Sequence, residues 1–160
     1  VTFDEAFDIL IGHEGGYAND SRDPGGETMW GVTARVARAD GYTDDMRALP
    51  RDRAKAIYRA KYWDAVRADE LPAGVRFAVF DAAVNSGVGQ AVRWLQRSVG
   101  VGEDGAIGPM TLAASQRADG LRLAVVFTAE RLDFMTSLPT WGAFGRGWAR
   151  RIASNLKGLA

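Results

Sequence analysis

The chain comprises 160 residues, 47% of them hydrophobic and 10% aromatic, enough apolar material for the core of one ordinary domain and too little for two comfortable ones. Twenty Lys and Arg balance twenty Asp and Glu, which argues against a nucleic-acid binder that works through bulk positive charge. Cysteine is absent, so neither disulfides nor thiolate metal sites stabilise the fold, and no run approaches the roughly 18 apolar residues of a membrane span.

Thr2 and Glu5 form an S/T-x-x-E capping box, and Phe3, Phe7 and Leu10 then repeat at helical spacing. A first helix is expected over about residues 2–14, closed by Gly15-Gly16. From Tyr17 to about Trp30 the chain is dense in Gly, Asp, Asn, Ser and Pro, which predicts a small β-hairpin or an ordered loop. Helical patterns resume after Thr33 and again from Pro50 through Tyr62, where Ala54, Ile57, Tyr58 and Lys61 follow at three- and four-residue steps. Pro72 opens a helix that is apolar on most sides, hence central, and stops near Gly87. A further helix ends at Gly100, the turn Glu103-Asp104-Gly105 follows, and Pro109 suits the first position of the next helix. Two long helices finish the chain, one through Val125 and Leu132, the other after Pro139 with Trp141, Phe144, Trp148 and Ile152 at helical steps. The expected class is mainly α, one domain over 1–160, with its small irregular segment after the first helix. Polar residues gather in that segment, so function is sought there.

Charge is unevenly distributed. Residues 1–30 carry seven acids against one base, Arg22, whereas the stretch from Ser115 onward carries seven bases against three acids. Ordinary surface charge explains this; a basic face for an anionic polymer is the functional alternative.

Glu14 stands four residues after Leu10 and seven after Phe7, on the same helical face as the apolar stripe. Apolar surroundings and the negative end of a helix dipole both favour the protonated carboxyl, as a general acid near neutral pH requires. A carboxylate turned back to water at a frayed helix end fits the same pattern. Acid cleavage of a glycosidic bond needs a second group to position water or stabilise charge, and Asp23, Asp20 and Thr28 follow within the glycine-rich segment. Asp23 is the first choice and Thr28 a hydroxyl able to hold a water, although both aspartates also suit turn capping.

His13 is the only histidine, so no multi-histidine metal site exists, and neither a metal nor a cofactor is expected. G-x-S-x-G and H-E-x-x-H motifs are missing, and Asn19 to Asp23 lacks the pattern of a calcium loop. Tyr17, Trp30, Tyr58, Tyr62 and Trp63 are candidates for stacking on sugar rings, with core packing the alternative for each. Asp81 and Asn85, four apart on the central helix, must be paired or face a cavity.

The run His13-Glu14-Gly15-Gly16-Tyr17, then Asp23-Pro24-Gly25-Gly26-Glu27-Thr28, then Trp30-Gly31-Val32-Thr33, resembles the N-terminal signature of glycoside hydrolase family 108, the phage-type N-acetylmuramidases. Tyr62-Trp63, the stretch Phe80 to Gly87 and Leu95-Gln96 look like the same family's central region, and Asp104 to Thr111 resembles the turn that begins its peptidoglycan-binding C-terminal part. Met29 departs from the pattern, standing where a polar residue is more usual.

The resemblance implies a lysozyme-like fold, with residues 1–87 as the catalytic signature region and 88–160 as the C-terminal helical part. It also implies cleavage of the β-1,4 bond between N-acetylmuramic acid and N-acetylglucosamine, with Glu14 as acid and Asp23 and Thr28 beside it. Tyr17, Asp20, Trp30, Tyr62 and Asn85 are then expected to bind peptidoglycan glycan strands. A monomeric phage or prophage endolysin is the expected context. The opening Val1 to Glu5 lacks the basic and apolar segments of a signal peptide, so the chain is expected to act at the cell wall after release, without stable membrane insertion. A lytic transglycosylase and a non-catalytic peptidoglycan-binding regulator are the competing readings.

Overall fold

The computed structural model describes residues 1–12, 16–19 and 26–159. The chain divides into two compact units, Thr2–Lys61 and, with Val1, Tyr62–Ala160.

In Thr2–Lys61, helix α1 spans Phe3–Ile11. The expected capping box is present: the Thr2 amide donates to the Glu5 carboxylate at 2.8 Å and the Glu5 amide to the Thr2 hydroxyl at 3.3 Å. Its apolar stripe buries Phe3, Ala6 and Phe7. The helix closes at Gly12, whose φ of 60° few other residues adopt and whose amide donates to the Asp8 carbonyl. The end is thus earlier than the Gly15-Gly16 stop expected from sequence.

Strands β1 (Ala18–Asn19), β2 (Glu27–Met29) and β3 (Val32–Thr33) form an antiparallel sheet in that order. Ala18 pairs with Thr28, Thr28 with Thr33, and Met29 with Val32. The hairpin expected between Tyr17 and Trp30 is therefore β1–β2, and β3 adds a third strand. Thr33 caps α2 (Ala34–Ala39) by accepting the Val36 amide, and a 3-10 turn at Met46–Ala48 leads to α3 (Arg51–Tyr58). This unit's core combines Phe7, Ala37, Met46, Leu49 and Ile57, and the edge of Tyr58 meets the Phe7 ring at 5.4 Å.

The single helix expected through Tyr62 is α up to Tyr58 and continues as a π-helical turn, Arg59–Trp63. In Tyr62–Ala160, Trp63 is buried edge-to-face against Phe80, 5.5 Å between centroids. Helix α4 (Ala73–Ser86) is central as expected, burying Val75, Ala78, Val79, Phe80, Ala82 and Ala83 against α5 (Val88–Val99) and α7 (Gly120–Thr136). The starts of α4 and α7 approach so closely that a Cβ on Gly74 would lie 2.7 Å from the Gly120 backbone.

Gly100 ends α5 in the left-handed conformation and Pro109 opens α6 (Pro109–Arg117), both as expected. Between them, buried Gln96 fastens the Asp104-Gly105 turn: its amide donates to Asp104 at 2.7 Å and the Ala106 carbonyl at 3.1 Å, and accepts the Gly105 N–H at 2.9 Å. Helix α8 (Trp141–Lys157) buries only Gly145 and Ile152; Phe144 is 57% exposed, stacked on Trp148.

Buried Asp81 on α4 is the electrostatic centre of this unit. Its carboxylate accepts Arg131 Nη1 at 2.6 Å, Arg151 Nε and Nη2 at 2.9 and 2.5 Å, and Asn155 Nδ2 at 2.9 Å. Burial pushes its pKa up, but the bond from Arg151 and the charge of Arg131 outweigh this and hold it below the usual carboxylate value. No helix among the described residues is long and apolar enough to cross a membrane.

Candidate active site

Glu14, Asp20 and Asp23, together with His13, lie outside the described residues. The structure does place Tyr17, Thr28 and Trp30, and it brings all three to the small sheet of Thr2–Lys61. Tyr62 and Asn85 belong to the other unit.

Thr28 is the middle residue of the middle strand, half-buried, with Ala18 opposite it on one side and Thr33 on the other. Strand alternation directs the neighbouring Glu27 and Met29 to the other face of the sheet. There Glu27 Oε1 accepts a 2.9 Å hydrogen bond from the Tyr17 hydroxyl. That bond raises the Tyr17 pKa above its ordinary value, so the phenol stays protonated over any physiological pH. The Arg47 guanidinium lies over the Tyr17 ring, 4.5 Å from its centroid.

Trp30 and Gly31 form the two-residue β2–β3 turn, with φ of 53° and 72°. Positive φ at both central positions is the signature of a type I′ hairpin turn, normally the place of Asn-Gly. A tryptophan there is a genuine outlier, and such strain persists only where the surroundings hold it. Here the indole Nε1 donates to the Leu49 carbonyl at 2.9 Å, and Arg51 stands 6.0 Å from the ring. With its N–H committed, Trp30 has only its ring to offer a ligand.

Tyr62 sits half-buried in the π-helical turn, a local distortion frequent at functional positions. Asn85, exposed in the last turn of α4, donates to the Asp81 carbonyl at 2.6 Å. Among the described residues no group of three His, Cys, Asp or Glu could hold a metal ion.

A search of curated proteins finds no match. The family model "Glycosyl hydrolase 108" matches residues 7–87. The chain belongs to glycosyl hydrolase family 108. Among solved structures, SagA of Brucella abortus is similar over 98% of this chain and 92% of its own, with 37% identity and a TM-score of 0.86. This family 108 protein therefore has the mainly α, lysozyme-like fold expected from the resemblance, with its small sheet directly after the first helix. It is a glycoside hydrolase, and its substrate is a glycan.

Three residues of the family 108 sheet region were not singled out by the sequence reading. Glu27 counts there only as one acid of seven and as a member of the Asp23 to Thr28 run, and Arg47 and Arg51 are not named. Period-two alternation across Glu27-Thr28-Met29 would have set Glu27 apart from Thr28. Nothing local signals the arginines, whose aromatic partners lie 21 to 44 residues away.

Proposed function

We propose that this glycoside hydrolase cleaves the β-1,4 bond between N-acetylmuramic acid and N-acetylglucosamine in peptidoglycan. The observation that carries the reading is the family match over residues 7–87, a span that takes in Glu14, Asp23 and Thr28 in that order, with the sheet bearing Thr28 following α1. Glu14 protonates the glycosidic oxygen as the bond breaks. Asp23, helped by the Thr28 hydroxyl, orients water on the opposite face of the sugar ring. This is an inverting scheme, and it calls for the Glu14 and Asp23 carboxyls to stand about 6.5–9.5 Å apart.

Within Thr2–Lys61, sugar rings rest on Tyr17 and Trp30, with Asp20 supplying hydrogen bonds; within Tyr62–Ala160, Tyr62 offers a ring and Asn85 an amide to the glycan polymer. The arginines over Tyr17 and Trp30 support this reading, because they set strong donors beside stacking surfaces. Residues 88–160 serve as a wall-binding part, with the basic excess after Ser115 suited to an anionic wall polymer. The protein acts as a monomer, in the role of a phage or prophage endolysin that reaches the wall after release.

Purified sacculi digested by the protein test the reading. Reducing muropeptides with the mass of water added support it, whereas products lighter by one water identify a lytic transglycosylase. Permeabilised cells that never clear identify a binding protein without catalysis.

A further inference from the structure

Within Tyr62–Ala160 a cavity of about 360 Å³ opens among the end of α4 and helices α5, α7 and α8. Trp94, Phe134, Met135 and Leu138 form its apolar walls, and the edge-to-face pair of Trp94 and Phe134, 5.4 Å between centroids, holds two of them in place. Arg131 and Arg151 bring positive charge to the same cavity.

Three buried donor atoms on its lining residues have no hydrogen-bond partner: Trp94 Nε1, Arg131 Nε and Arg131 Nη2. Buried donors without an acceptor are rare, because each forfeits its hydration and gains nothing for it. Arg131 is 1% exposed and spends a single N–H, from Nη1, on Asp81. Nε and Nη2 make up the parallel fork of a guanidinium, the edge that grips a carboxylate with two bonds. Asp81 is not placed to take that edge, since its oxygens already accept Arg131 Nη1, both donors of the Arg151 fork and Asn155. Two arginines against one aspartate leave one positive charge in excess. Of the other acids on the lining helices, Glu130 pairs with Arg97 at 3.6 Å and Asp133 is exposed.

We propose that this cavity binds a small organic anion with one carboxylate on an apolar body, the carboxylate seated on the Nε/Nη2 edge of Arg131. The Trp94 indole N–H is a further donor to the same ligand, and its body lies against Phe134, Met135 and Leu138. The volume accommodates on the order of ten heavy atoms. Such a ligand is either a free organic acid or the C-terminus of a short apolar peptide. The site uses neither Glu14 nor the sheet, and of the proposed glycan contacts it shares only Asn85, which lines the cavity; the acid-against-amide comparison does not depend on glycan cleavage.

Calorimetric titration of the full chain with 3-phenylpropanoate and with N-acetyl-D-alanyl-D-alanine, each beside its primary amide, tests this. At least one acid is expected to bind saturably, one per chain, with affinity about tenfold or more above its amide; the preferred acid identifies the source. Arg131→Lys keeps a positive charge beside Asp81 but removes the fork, and lowers the affinity by about tenfold. Gln90→Trp, on the cavity wall and not one of the residues that bond the Asp81 carboxylate, blocks binding while leaving the unfolding temperature in place. Equal binding of acid and amide, no saturable binding of either acid at about 10 mM, or unchanged affinity in both folded variants overturns the proposal.

Discussion

Trp30 holds a conformation that costs about 1–3 kcal/mol, and the bond from its indole to the Leu49 carbonyl helps to hold it there. Trp30→Phe keeps a ring but loses that bond, and is expected to lower stability by about 1 kcal/mol in urea unfolding. Asp81 is the residue on which acid stability turns. Its pKa is lowered in the folded chain, so its contribution is complete above the unfolded value, near 3.8, and is lost as pH falls through the folded value. Wild-type melting temperature should therefore drop steeply below about pH 4. In Asp81→Asn, Arg131 and Arg151 lose their anion, the loss at neutral pH is about 3–5 kcal/mol, and the acid-dependent step shrinks. A melting temperature as pH-dependent in the variant as in wild type would contradict this assignment.

The β2–β3 hairpin depends on Gly31 twice, through its φ of 72° and through Tyr58, whose hydroxyl would lie 2.5 Å from an added Cβ. Gly31→Ala is expected to destabilise by about 1–3 kcal/mol, measured by chemical unfolding. Gln96→Leu strips the acceptor from Gly105 and the donor from Asp104, costs about 1–3 kcal/mol, and raises hydrogen exchange first at residues 103–106. These elements also show what was legible beforehand. The α1 capping box, central α4, the Gly100 stop and the Pro109 start were readable because each rests on residues within one or two turns of one another. The end of α1 falls earlier than expected because Gly12 and Gly15-Gly16 are equally good stops by composition, and only the φ of 60° at Gly12 places it there. The π-helical turn and the third strand depend on packing and pairing that no local pattern encodes.

At the scale of the molecule, the mainly helical class was legible from helical spacing, and the family because its motifs run in order within residues 7–87. The charged centre was legible only in part. That Asp81 needs partners follows from its apolar helix, whereas the identity of Arg131 and Arg151, 50 and 70 residues away, comes only from the fold. Of the site, Thr28, Tyr17 and Trp30 are brought to one small sheet, while Glu14 and Asp23 rest on the family likeness alone. The proposed function turns on the proton that Glu14 donates to break the glycan. Muropeptide release from sacculi by Glu14→Gln beside wild type, with product masses read from both, tests it most directly. Wild type is expected to release water-added muropeptides, and the variant, with unchanged melting temperature, to release them about 10²–10⁴-fold more slowly. Wild-type rates from Glu14→Gln would contradict it.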